Sequence, residues 1–200
     1  TDDNFEKELL YIPKLREHQI DGIILSGSYN RDKEKELSLN FKTPNVALDR
    51  SVGYKNSISF IGTNNYDISK ELANHLVETG KRRFLYLGGP LNNDVTMARY
   101  QGVHDTLIEH EDTILKAMFK EYSIEFGMEA ISKLPNIRDY DAIICGNDMI
   151  AYGVLKMLSD FKIKVPGEIA VTGFDNIILS KVATPPITTV DQHNYELGQK

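Results

Sequence analysis

The stretch AIICGNDMIAYGVLKMLSD, residues 142–160, holds both halves of this fold's repeating unit. Its first four residues, 142–145, are uninterrupted apolar, the pattern of a short strand covered on both faces. After Gly146 the period changes. Ile150, Ala151, Val154, Leu155 and Leu158 recur every three or four positions and share one helix face. Asn147 stands where a side-chain oxygen can accept from the free amides of the first helical turn.

The same alternation extends in both directions. Strands are expected at 22–25, 46–48, 57–61, 83–87, 115–120, 142–145, 169–172 and 187–190, with helices in most of the intervals. Leu72, Ala73, Leu76 and Val77 form a second buried stripe, closed by Gly80 in the left-handed conformation. The first helix is less regular. Asp3 and Glu6 have capping-box spacing, but Pro13 removes a backbone donor and is expected to kink or split the segment. Strands joined by helices run parallel, so the chain is an α/β protein with helices over its sheet. Pro166-Gly167 and Pro185-Pro186 read as turns, too short for a flexible interdomain linker.

Composition narrows the function. The chain has 200 residues, 41% of them apolar, enough for one domain or two small lobes. With 23 Lys and Arg against 29 Asp and Glu, it carries a net charge of −6, and no segment gathers the basic residues a phosphate backbone requires. DNA binding by this segment alone is not expected. Apolar runs stop far short of the roughly 20 residues needed to span a bilayer. Cys145 is the sole cysteine, and the acidic start TDD lacks the basic region of a secretory signal, which together favour a reducing, cytoplasmic setting.

In open parallel sheets the binding crevice lies beyond the carboxyl ends of the strands. The residues there share a chemistry. Ser26 and Ser28 follow the first strand, Asp49 and Arg50 the second, and Asn64 and Asn65 the third; Arg99 follows the fourth after a longer loop. Tyr122 and Ser123 follow the fifth, Asn147 and Asp148 the sixth, Asp175 and Asn176 the seventh. Carboxylates accept from pairs of hydroxyls, Arg offers a fork of donors, Asn does both, and an aromatic face covers C–H groups. That set suits a polyhydroxylated ligand such as a sugar.

Rival chemistries lack parts. His18, His75, His104, His110 and His193 have no metal-ligand spacing, so no metal site is expected, and no cofactor is called for. There is no Walker loop or nucleophile elbow, and the glycines of GGPLNN, 88–93, match no phosphate cradle. A glycosidase needs two carboxylates at a set separation, which sequence alone does not supply. Several residues also have a plain structural reading. Tyr122 is by type a half-buried aromatic, Arg99 by default pairs with a carboxylate, and Asp49 and Arg50 read equally well as pairing with other residues at the hinge instead of with ligand. Asp148 reads as a first-turn helix charge stabilised by the dipole, and Cys145 as a small buried hydrophobe. Asp175, ending a buried strand within Gly-Phe-Asp-Asn, is the firmest ligand contact.

Taken together, the strings resemble the lactose-repressor and galactose-repressor (LacI/GalR) family of bacterial regulators. TDDNFEKEL (1–9), IDGIIL (20–25), TPNVALDR (43–50) and ELANHLVETGKRRFLYLGGP (71–90) follow the family's order and spacing. ARYQG (98–102), ICGNDMIAYGVL (144–155), VPGEIAVTGFDN (165–176) and PPITTVDQ (185–192) continue it, and the last two favour the regulators over the periplasmic sugar-binding proteins.

The resemblance implies two parallel-sheet α/β lobes with an effector cleft between them. Residues 1–63 would form part of the N-terminal lobe, 64–190 the C-terminal lobe, and 191–200 a crossover back. It further implies a non-enzymatic sensor, most often of a repressor, that binds a sugar or phosphosugar, pairs as a homodimer and meets operator DNA through a helix-turn-helix head. That head, the hinge helix and the first strand-helix-strand unit have no counterpart in this sequence, so the first lobe is expected to be incomplete. Ser28, Asp49, Arg99, Tyr122, Asn147 and Asp175 fall at the family's effector positions, and Asn64 joins the expected ligand set although position 64 departs from the pattern. Many members have Asp then Asn where this chain has Asn64 then Asn65. The alternatives are a sugar-binding protein of a transport system, marked by a signal peptide, and a sugar-processing enzyme, marked by turnover.

Overall fold

The computed structural model describes residues 5–26, 43–49 and 59–199. The chain divides into two compact units: Thr1–Thr63, Asn92–Val95 and His193–Lys200 form unit one, and Asn64–Leu91 with Thr96–Gln192 form unit two.

In unit one, helix α1 (Phe5–Glu17) leads to a parallel three-stranded sheet of β1 (Ile23–Leu25), β2 (Asn45–Leu48) and β3 (Ser59–Ile61), with β2 central. Ile23 and Ala47 are its buried strand residues. Residues 57 and 58 of the expected third strand lie outside the described residues, as does Asp3 of the expected capping box. Of the kink or split expected at Pro13, the split does not occur: a proline forfeits one backbone bond, and the helix runs on through it to Glu17.

Unit two holds the larger core. Its helices and strands are α2 (Asn65–Glu78), β4 (Arg83–Gly88), α3 (Asp94–Ile108, whose first residues belong to unit one), β5 (Ile114–Phe119), α4 (Ile124–Ser132), β6 (Ala142–Cys145), α5 (Asp148–Asp160), β7 (Ala170–Phe174), α6 (Ile178–Val182) and β8 (Thr188–Val190). The strands make one fully parallel sheet in the order β5-β4-β6-β7-β8. A final short helix, α7 (Asn194–Gly198), follows.

Alternation along each strand divides the core by face. Leu85, Leu87, Ile143, Cys145 and Val171 point to one side, where Phe126 and Ile131 of α4 and Ile150, Val154 and Leu158 of α5 cover them. Phe84, Tyr86, Ala142, Ile144 and Ala170 point to the other, under Leu72, Ala73, Leu76 and Val77 of α2 and Val103 and Leu107 of α3. Both faces are covered, which explains why these strands read as unbroken apolar runs. Helices α4 and α5 approach closely through glycines. A Cβ on Gly153 would lie 2.1 Å from the Ile124 carbonyl oxygen, and one on Gly127 would lie 2.3 Å from that of Ile150. Gly80, at φ +85°, closes α2 as the sequence predicts.

The chain proceeds from β4 outward to β5, then returns to lay β6 on the other side of β4. That reversal opens a crevice at the carboxyl ends of β4 and β6, the place where doubly wound sheets bind ligands.

Candidate functional site

The crevice of unit two is organised around Arg99. It follows β4 and the longer loop, as the sequence indicates, in the second turn of α3, and is only 4% exposed. A buried guanidinium needs its donors satisfied and its charge balanced. Nε donates to Oδ1 of Asn65 at 2.8 Å, Nη1 to the carbonyl oxygen of Gly146 at 2.6 Å, and Nη2 to Oδ1 of Asp175 at 3.0 Å. The guanidinium also lies 3.6 Å from the ring centroid of Phe174, a cation–π contact. Four residues, from three separate stretches of the chain, thus fix one planar cation.

Asp175 follows β7 directly, because β7 extends to Phe174, two residues beyond the expected end. Its φ of 99° and the 49° of Asn176 are left-handed, a conformation unfavourable for side chains other than glycine and stable only when its surroundings impose it. Here the restraints are explicit. The Asp175 amide donates to the Val190 carbonyl at 3.0 Å, and Oδ1 accepts from Gln192 Nε2 at 2.5 Å as well as from Arg99. Oδ2 makes no hydrogen bond among the described residues.

Asn147 caps α5 as predicted: its Oδ1 accepts from the Ile150 amide at 3.0 Å. Its Nδ2 makes no hydrogen bond among the described residues. Tyr122 is half-buried, with its ring over Gly89, where a Cβ would fall 2.2 Å from a ring carbon. Its hydroxyl shares a 2.7 Å hydrogen bond with Oγ1 of Thr96, a fully buried residue.

Asp148 stands in the first turn of α5, as the sequence indicates, and it is 0% exposed. Oδ1 accepts from Oγ1 of Thr189 at 2.6 Å and Oδ2 from the Ile177 amide at 2.9 Å. Thr189 Oγ1 in turn accepts from the Asn176 amide at 3.3 Å, so Asp148 holds the loop that carries Asp175. Burial pushes the Asp148 carboxyl above its ordinary value, and the bond from Thr189 opposes that shift. Cys145 is buried and its thiol is pushed up by the same cause, as expected of an inert core residue.

Of the predicted residues, the structure thus gathers Arg99 and Asp175 into direct contact, sets Asn147 next to the Gly146 carbonyl that Arg99 uses, and lays Tyr122 over Gly89. Asn64 is exposed and spends its side chain on Asp67: it accepts from that residue's amide at 3.3 Å and donates to its carboxylate at 2.5 Å. Its neighbour Asn65 is the one on Arg99. Asp49 belongs to unit one, at φ 66°, with its amide on the Ile61 carbonyl at 2.9 Å. Ser28 lies outside the described residues. Sequence reasoning placed Asn65 beyond the third strand but chose Asn64 for the ligand set, and it missed Thr96, Phe174 and Gln192. Only the distant partner reveals which of two adjacent polar residues turns inward.

Among the described residues no group of His, Cys, Asp and Glu is placed to hold a metal ion, and no helix is long and apolar enough to cross a membrane. A separate groove of about 280 Å³ is lined by Tyr152, Leu155, Lys156, Val182 and Thr184, and shares no residue with the Arg99 cluster.

Residues 73–200 match the family described as periplasmic binding protein-like domain. The chain belongs to this family. Within it, the resemblance to LacI/GalR regulators holds. The chain is 30% identical over 202 residues to the ribose operon repressor of Halalkalibacterium halodurans, covering 99% of this chain and 58% of that protein. It is 26% identical over 204 residues to the repressor PurR of Haemophilus influenzae, covering 100% and 60%. It thus spans about three fifths of these curated relatives. Among solved structures, a periplasmic binding protein/LacI transcriptional regulator from Alkaliphilus metalliredigens, complexed with D-xylulofuranose, superposes with a TM-score of 0.83 at 29% identity, covering 98% of this chain and 72% of that one. These relatives are regulators.

Proposed function

We propose that this chain is the effector-sensing core of a LacI/GalR-type transcriptional repressor, binding a sugar or related polyhydroxylated molecule at the carboxyl end of the unit-two sheet. One observation carries the reading: a buried Arg99 held by Asn65, Gly146 and Asp175, beside an Asp175 oxygen and an Asn147 amide nitrogen whose hydrogen-bonding capacity is unspent. A carboxylate oxygen that accepts, next to amide and guanidinium groups that donate, matches a pair of neighbouring hydroxyls. Tyr122 supplies an aromatic surface for the C–H face of such a ligand.

The proposed ligand set is Ser28, Asp49, Asn64, Arg99, Tyr122, Asn147 and Asp175, with 1–63 and 64–190 serving as the two lobes and 191–200 as the return crossover. Recognition ends in binding without turnover. Differential affinity for two lobe arrangements then shifts operator binding by a homodimer through a helix-turn-helix head, in the cytoplasm.

A thermal-shift screen against pentoses, hexoses and their phosphates tests this. A ligand at about 100 times its Kd stabilises by about 2.7 kcal/mol. The expected result is a rise in Tm with at least one sugar, abolished by Arg99→Ala and by Asp175→Ala. A shift that survives in both variants, or none across the panel, contradicts the proposal.

A further inference from the structure

The chain enters unit two at Asn64 and finally leaves it at Gln192. Both ends are fastened to the same ion pair. Asn65, buried at the start of α2, accepts from Arg99 Nε at 2.8 Å; Gln192, buried at the exit, donates to Asp175 Oδ1 at 2.5 Å; Arg99 and Asp175 meet at 3.0 Å. The contacts form one unbroken line, Asn65–Arg99–Asp175–Gln192.

The line has a weak point at its exit. Oε1 of Gln192 is buried without a hydrogen-bond partner, and the bond to Asp175 is what its amide has in return. Turning the amide over would set its oxygen against the carboxylate. A buried amide is tolerated while one strong, charge-assisted bond offsets its desolvation, and becomes costly once that bond is lost. At the entry, Asn65 is held through a guanidinium whose charge Asp175 balances; without that carboxylate, Arg99 would be an uncompensated buried cation.

We propose that the Arg99–Asp175 pair is the common anchor of both ends of unit two, with Asn65 and Gln192 as positioning residues, so that any group competing for either partner acts on entry and exit together. The ligand step rests on the function proposed above; the anchor itself does not.

Hydrogen exchange of the 200-residue chain, measured by mass spectrometry without any ligand, tests the anchor. Arg99→Met is expected to lower amide protection about tenfold or more at both 61–66 and 190–195, while 124–132 and 148–160 stay within about twofold. Gln192→Ala is expected to affect 190–195 alone, and Asn65→Ala 61–66 alone. Asp175→Asn, which keeps the shape and removes the charge, provides a second route to the two-ended loss if Arg99→Met does not fold. Unchanged protection at either end in Arg99→Met or Asp175→Asn, or a uniform loss across the unit in all variants, overturns the proposal. Because no ligand is present, that failure is distinct from the failure of every sugar to bind a chain whose anchor behaves as described.

Discussion

Asp148 shows how much a single side chain carries here. It has no solvent exposure, and its two oxygens serve Thr189 and the Ile177 amide, tying β8 and the loop after β7 to the start of α5. Alanine would leave those donors buried without an acceptor, at an expected cost of about 2–4 kcal/mol. Asparagine keeps an acceptor for the Ile177 amide, and Thr189 can reverse its hydroxyl, so the expected cost falls to about half. Urea unfolding of both variants checks the ranking, and an alanine variant within about 0.5 kcal/mol of the parent refutes it. The position was legible as a helix start, but burial was not, since Thr189 lies 41 residues away. The same limit applies at Asn64 and Asn65: the sequence sets both beyond the third strand, while the inward turn of Asn65 depends on Arg99, 34 residues on.

Among the elements, β4 and β6 are clasped at their amino ends by Asp141. Its carboxylate accepts from the amides of Arg82 at 3.1 Å and Arg83 at 2.9 Å, and from the Arg83 side chain at 2.7 and 3.1 Å. The Arg83 guanidinium holds the carboxyl below its ordinary value of 3.8, aided by the two backbone amides. A depressed carboxylate contributes stability that is present above its unfolded pKa and lost as pH falls through the folded one. Asp141→Asn is therefore expected to cost about 1 kcal/mol at neutral pH, discounted for partial exposure, and the gap to the parent should narrow below about pH 4. Denaturant midpoints between pH 3 and 7 measure it; a constant gap contradicts the assignment. The strands themselves were readable to within a residue or two because the sheet is covered on both faces and apolar residues run on without a polar break. Helix α1 was harder, since a proline argues for a break that the rest of the helix overrides.

For the chain as a whole, the reading depends on polar residues collecting where the strand order reverses. Parallel topology alone predicts that location, which is why Arg99, Tyr122, Asn147 and Asp175 could be picked out beyond strand ends before any distance was known. What sequence could not supply was the internal bonding that decides which atoms are spent and which are left for a ligand. The chain carries a net charge of −6 and spans about three fifths of the curated relatives it matches. The most direct test of the central claim is a crystal structure of this chain with whichever sugar gives the largest thermal shift. The account predicts sugar hydroxyls within about 3.5 Å of Asp175, Asn147 and Arg99 together. A sugar ordered in the groove at Tyr152 and Lys156, or anywhere that leaves those three side chains untouched, would contradict it.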